Sequence, residues 1–444
     1  MHSVSKLARD AAEVAAIAHR VSSPGDYDEL IEAIGDRHIV LIGEASHGTH
    51  EFYETRAELT KRLIAEKGFR AIAVEADWPD ALRVNRFVRR PSDDADANAA
   101  LGNFHRFPQW MWRNPVVLEF VDWLRRWNEA HEGTQVGFYG MDLYNLHGSI
   151  SDVLQYLDGI DPAAARRARD RYACFEHFGD PQMYGYAAHT GRTESCEDGV
   201  VDQLMELRRR ATELLTTQDS RDEAELFYAE QNARLIANAE RYYRAMFGGR
   251  ASSWNLRDEH MAGTIQSLVS YLDGAGGKIV VWAHNSHLGD ARATEMSERG
   301  ELNVGQLVRD RFGADSFLVG FSTYAGTVTA ARDWGEAAER RRVRPGIAAS
   351  YEELLHATGI PRFWLNLSNA DDSAPEVLSR SLLQRAIGVI YRPETERWSH
   401  YFQAQLAQQF DVMIHLDETR ALDPLEPTAE WQRGELPDTF PTSL

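Results

Sequence analysis

The sequence predicts an α/β fold: a mostly parallel central sheet flanked by helices, with a large all-helical insertion between the third and fourth strands. Three observations carry this expectation. Short β-branched runs alternate with helical segments through the first third of the chain, which is the pattern of βαβ units. The stretch between Asp142 and Lys278 offers no strand and is rich in Ala, Leu, Glu and Arg. Polar residues able to do chemistry stand at the C-terminal ends of the expected strands, where open α/β sheets place their sites.

The first strand is HIVLIGE (38–44). An amphipathic helix over about 51–67 follows, stopped by Gly68, since glycine suits the left-handed backbone that closes a helix. FRAIAVEA (69–76), QVGFYGMD (135–142), KIVVWAH (278–284), SFLVGFST (316–323), AIGVIYR (386–392) and DVMIHLD (411–417) continue the series, about seven strands in all. Helices near 196–217, 222–247 and 254–273 fill the insertion, the second expected to cap at Gly248. Residues 1–444 thus read as a single domain with a helical insertion or lid at about 150–275. The N-terminus reads as an amphipathic helix rather than a signal peptide, because Lys6, Arg9, Asp10 and Glu13 interrupt its apolar residues. Prolines at 424, 427, 437 and 441 point to a tail that wraps the surface.

Composition narrows the function. Hydrophobic residues at 43% and charged residues at 26% fit a soluble globular protein and exclude a disordered or fibrous one. With 48 Lys plus Arg against 68 Asp plus Glu, the net charge of −20 repels nucleic acid and anionic membranes. No stretch is apolar for long enough to cross a bilayer. The expected partner is a small neutral or cationic molecule, and the expected state a monomer. Cys174 and Cys196, too few for a disulfide framework, read as structural thiols in a reducing cytoplasm.

The candidate site gathers from distant positions. Glu44 and His47 follow the first strand in the turn GEASHG, where glycines at 43 and 48 allow close backbone approach and a helix N-terminus offers free N–H groups for an anion or oxyanion. Glu75 and Asp77 end the second strand, Asp142 the third, His284 and His287 the fourth, and Tyr391 and Arg392 the sixth. A histidine oriented by a neighbouring carboxylate can deprotonate water near neutral pH. Arg56, in the first turns of the following helix, would hold the carboxylates apart. Trp110 and Trp112 are candidates for an apolar pocket wall. Arg257, Asp258 and His260 read chiefly as cap or pairing residues at a helix start, and Ser46 is a weak nucleophile because its surroundings are not GxSxG. The Glu44-x-x-His47 and His284-x-x-His287 pairs with Glu75 also suit a divalent metal such as zinc.

Together LIGEASHGTHEFYETR, FRAIAVEADW, VGFYGMDLY, VVWAHNSH, WMWRN and ERWSHYF run through roughly residues 35 to 420 and resemble the erythromycin esterase family. The resemblance implies a compact α/β fold with a helical insertion. For the antibiotic-resistance members it implies metal-independent hydrolysis of a macrolide's macrolactone ester by a histidine that activates water. It puts the general base on His47, its acidic neighbour on Glu44, the helix arginine on Arg56, the strand glutamate on Glu75 and the later pair on His284 and His287. The leading expectation is therefore a cofactor-free hydrolase of carboxylic esters or lactones. A metallohydrolase on the same residues, and a small-molecule-binding protein without turnover, stand as alternatives.

Overall fold

The computed structural model describes residues 2–89, 92–214, 220–272, 277–368 and 375–434. Its strands are β1 (His19–Arg20), β2 (Ile39–Ile42), β3 (Ala71–Asp77), β4 (Gly137–Asp142), β5 (Ile279–Trp282), β6 (Ser316–Ala330), β7 (Glu339–Val343), β8 (Arg362–Asn366), β9 (Leu382–Arg385), β10 (Tyr401–Ala404) and β11 (Val412–Thr419). One sheet runs in the order β1-β8-β11-β6-β2-β5-β3-β4, with β7 paired to β6, and β9 and β10 form a separate ribbon. From β11 through β4 every neighbour is parallel, and β8 and β1 close one edge antiparallel.

Central parallel strands must be apolar on both faces, because helices cover each side. β2 meets that demand: Ile39 and Leu41 enter one core, Val40 and Ile42 the other, and all four are fully buried. The first part of the chain supplies α1 (His2–Ala16), α2 (Asp28–Ile34), α3 (His50–Lys67), α4 (Trp78–Arg89), α5 (Ala97–Ala100) and α6 (Pro115–Ala130). Helix α3 ends as expected at Gly68, whose φ of 73° lets its N–H reach the Leu63 carbonyl. Between β4 and β5 lie α7 (Leu146–Ile160), α8 (Pro162–Tyr172), α9 (Pro181–His189), α10 (Glu197–Leu214), α11 (Ser220–Ala245) and α12 (Arg250–Leu272), with no strand among the described residues. Their apolar faces, such as Val153, Leu157, Leu235 and Leu268, belong to the same core as Ile39 and Leu41.

Several expectations are corrected. Residues 386–392 form no strand, only isolated bridges at Ile387 and Ile390, because the chain there leaves the sheet to lie against Ser46 and Ala331. The hydrophobic run of β6 continues to Ala330, well past 323, and β1, β7, β8, β9 and β10 were not expected. Helix α11 stops at Ala245, before the Gly248–Gly249 pair, where Gly249 takes a φ of 138°. Cys174 and Cys196 are bonded to each other: the fold of α8 to α10 brings their Cα atoms within 6.0 Å. The free-thiol premise of a reducing cytoplasm therefore fails, although no described helix is long and apolar enough to cross a membrane. The tail expectation falls partly outside the described residues, at Pro437 and Pro441.

The turn after β2 is fastened along its whole length. Gly43 N–H donates to the Val319 carbonyl at 2.8 Å, His47 N–H to Ile387 at 3.3 Å, and Thr329 and Leu422 N–H groups donate to the Gly48 carbonyl at 2.9 and 2.8 Å. A Cβ at Gly48 would stand 1.9 Å from the Thr329 carbonyl oxygen, a backbone atom with nowhere to go. We expect Gly48→Ala to lower unfolding free energy by about 1–3 kcal/mol, measured by urea denaturation; unchanged stability would show that β6 can yield at this point.

Candidate active site

The sheet order explains how residues far apart in sequence meet. Strands β2, β5, β3 and β4 are consecutive neighbours, and their C-terminal ends carry Glu44 and His47, His284 and His287, Glu75 and Asp77, and Asp142. A cleft of about 440 Å³ opens there, lined by His47, Glu75, Asp142, Arg257, His284 and His287 among others.

His47 is turned by its neighbours. Its Nδ1 lies 2.9 Å from Glu44 Oε1, and Tyr53 donates to its carbonyl at 2.9 Å. A carboxylate accepts only, so Nδ1 carries a proton and the Nε2 edge of the ring is turned away from Glu44. Arg56, 1% exposed, lies beneath Glu44 with Nη2 3.4 Å from Oε2, and its guanidinium is sandwiched by the Tyr53 and Trp282 rings. It anchors Glu44 and does not line the cleft.

His284 uses its Nδ1 in the opposite way. Its Nδ1 accepts from Ser286 N–H at 3.2 Å and lies 2.8 Å from Ser286 Oγ, so the ring proton sits on Nε2. That Nε2 is buried and makes no hydrogen bond, and the two imidazole centroids are 4.8 Å apart. Burial and the adjacent His47 push its pKa down to about 3, so the ring stays neutral.

Behind the two rings lies a charged knot. Arg257 donates through Nε and Nη2 to Asp142 at 3.0 and 2.6 Å, through Nη2 to Glu75 Oε1 at 2.7 Å, and through Nη1 to His287 Nε2 at 2.9 Å. His287 Nδ1 donates to Asp258 at 2.9 Å, and Trp254 stacks on its ring. Glu75 Oε2 accepts the His284 N–H at 2.8 Å. Burial alone would raise the Glu75 carboxyl, but His287, His47, Arg257 and that N–H together hold it well below the usual carboxylate range.

Of the expected residues, the cleft collects His47, Glu75, Asp142, His284, His287 and Trp112, with Glu44 and Arg56 directly behind His47. Asp142 spends its carboxylate on Arg257 rather than facing open space. Three others lie elsewhere. Trp110 packs in the hydrophobic core. Tyr391 is buried against Glu396 at 3.1 Å, and exposed Arg392 reaches Asp333 and the Arg332 carbonyl, because segment 386–392 is not a sheet strand. In the turn the Gly43, His47 and His50 N–H groups are committed to carbonyls, so these three cannot serve the anion cradle expected there. Ser46 pairs with Thr49 and is buried. Arg257 and Asp258, read as cap residues, sit two turns into α12 and face the cleft network, whereas His260 bonds Asn238. Helical spacing toward a polar core was the available signal for them.

Among the described residues no three His, Cys, Asp or Glu side chains are grouped to hold a metal ion. Of the donors the metal alternative needs, Glu44 is taken up by His47, Glu75 by Arg257 and the His284 N–H, and His287 by Arg257 and Asp258, so these side chains as arranged do not fit a metal.

A histidine–carboxylate cleft at the strand ends of a helix-covered α/β sheet defines the class of protein. The erythromycin esterase profile matches residues 64–419, most of the chain, and the chain belongs to that family. The match begins downstream of Glu44, His47 and Arg56. Erythromycin esterase type II of Escherichia coli is 20% identical over 415 residues, 89% of this chain and 92% of its own length. A solved succinoglycan biosynthesis protein superposes with a TM-score of 0.76 at 20% identity, over 95% of this chain and 99% of its own. An erythromycin esterase mutant, EreC, in its open conformation gives 0.69 at 16% identity, over 92% and 99%. These two structures share the fold.

An acidic cluster borders the same cleft. Asp77 pairs with Arg106 at 3.0 Å, and Asn145 donates to both Asp77 and Asp80 at 2.9 Å. Burial, with Asp77 nearby, pushes the Asp80 pKa up to about 7. The native state therefore holds a proton here that the unfolded chain releases near pH 4, and this contribution to stability is lost as pH rises toward 7. In urea unfolding at pH 5 and pH 8, the stability of Asp80→Asn relative to wild type should improve by roughly 2–3 kcal/mol at the higher pH. An equal difference at both pH values would remove Asp80 as the titrating group.

Proposed function

We propose that the protein is a hydrolase of carboxylic esters or lactones, with macrolide-type lactones within its chemical reach. The observation that carries this reading is the pair of neighbouring imidazoles whose Nδ1 atoms play opposite roles, donating to Glu44 in His47 and accepting from Ser286 N–H in His284. A family named for erythromycin esterase supports the reaction class.

In the proposed reaction a water held at His47 Nε2 loses its proton to that nitrogen as its oxygen bonds to the ester carbonyl carbon. The carbonyl π electrons move onto oxygen, and the neutral His284 Nε2–H donates to the resulting oxyanion. Collapse of the tetrahedral intermediate breaks the acyl C–O bond, and the proton on His47 passes to the leaving alkoxide. Acid and alcohol result. Glu44, anchored by Arg56, orients His47 and balances its transient charge. Glu75, Arg257, Asp142, His287 and Asp258 fix the His284 backbone and the cleft wall. Of the helices between β4 and β5, α12 lines the cleft through Arg250, Trp254 and Arg257 within one α/β unit, and the substrate is a small molecule.

His47→Ala is expected to lower kcat/KM on short-chain esters and lactones by about 10²–10⁴-fold, the ordinary worth of a positioned base; unchanged turnover in a stopped assay would take His47 out of the reaction. Dialysis against a chelator is expected to leave the rate intact, because Glu44, Glu75 and His287 are engaged by His47, Arg257 and Asp258. Loss of rate restored by zinc or manganese would replace this scheme with a metallohydrolase.

A further inference from the structure

Burying a large aromatic side chain is among the most favourable things a fold can do with it, so an exposed tryptophan calls for a reason. Eight large hydrophobic side chains are exposed among the described residues; six lie between Ile160 and Phe247 on the helical cover. The other two, Trp334 at 58% exposure and Trp398 at 85%, both line the cleft that holds His47 and His284.

Each is held by a rigid mount. Trp334, in the turn after β6, meets Phe107 edge to face at 4.9 Å, and Phe107 meets the core residue Trp110 in the same way at 5.4 Å. Trp398 sits on the helical turn Glu396–Ser399 between the two strands of the β9–β10 ribbon. The buried Arg385 on β9 ties that ribbon to the sheet, donating to the Thr323 and Tyr324 carbonyls at 2.6 and 2.8 Å and to Glu396 at 3.2 Å. An indole presented to water from a fixed platform is pre-arranged to stack on a flat partner, and its order is not lost when the partner arrives.

We propose that Trp334 and Trp398 form an aromatic grip at the cleft mouth that selects esters carrying a flat, uncharged ring. An aryl ring and the C–H face of a pyranose share that chemistry. A cationic group is disfavoured, because the Arg397 guanidinium already lies 5.2 Å from the Trp398 ring centre. The grip holds the ring at the mouth while the ester carbonyl reaches the His47–His284 pair, and a cleft of about 440 Å³ is of the size that takes such a ligand. This inference rests on the hydrolase reading for its turnover arm, but not for its binding arm.

The test compares wild type with Trp334→Ala, Trp398→Ala and Trp398→Phe on 3-phenylpropyl acetate, methyl 6-O-acetylglucoside and ring-free propyl acetate. For at least one ring-bearing ester, the ratio of its kcat/KM to that of propyl acetate should fall about tenfold in each alanine variant, through KM, and return with Trp398→Phe. Which ring ester responds identifies the ring type. In parallel, calorimetry measures the affinity of the unreactive alcohols 3-phenylpropanol and methyl glucoside, which should weaken by a similar factor in the alanine variants. If no ester is turned over, the hydrolase reading falls while this affinity loss still carries the grip. Equal ratios and equal affinities in wild type and alanine variants would overturn it.

Discussion

The Arg257 guanidinium is the interaction on which the site depends. It is the charge that allows Glu75 and Asp142, from neighbouring parallel strands, to be buried together. Two carboxylates so placed cannot both remain ionised in a dry environment without a cation between them. The same group also occupies His287 Nε2, so that ring turns its Nδ1–H to Asp258. Helix α12 thereby locks onto the ends of β3, β4 and β5 through ion pairs, in addition to apolar contacts.

The opposite Nδ1 hydrogen bonding of His47 and His284 follows from local chain geometry. Glu44 and His47 stand three residues apart on a tight turn, which brings a carboxylate to Nδ1. In His284 the ring caps its own short helix, α13 (Asn285–Leu288), accepting from Ser286 N–H. One histidine therefore donates through Nδ1 and the other accepts through it, without any charge on the second. Neither arrangement needs long-range organisation; bringing them within 4.8 Å of each other does, and the adjacency of β2 and β5 supplies it.

Much of this was legible in the sequence. Continuous apolar runs mark buried parallel strands, and polar residues at their ends mark the cleft; Glu44, His47, Glu75, Asp142, His284 and His287 were found that way. The failures share a cause. AIGVIYR looks like a strand by composition, but its partners are single bridges to a turn and a loop, and only tertiary packing decides that. Arg257 and Asp258 lie on a helix whose start was placed four residues late, which turned core-facing side chains into apparent caps. The Cys174–Cys196 bond depends on how α8 and α10 pack, a contact across 22 residues that carries no local signal. Trp334 and Trp398 carry no local sequence signal that sets them apart from buried aromatics, because their exposure follows from tertiary packing.

The length of β6 has one more consequence. At its start it pairs with β2, and at its end, where it bends away to β7, Thr329 grips the Gly48 carbonyl. The turn bearing Glu44 and His47 is therefore stitched at both ends to a single 15-residue strand. Such a splint leaves His47 no freedom to approach or retreat, so in the proposed reaction the substrate must do the travelling. The rim offers no more play, since Trp334 rests on Phe107 and Arg385 ties the β9–β10 ribbon to the sheet.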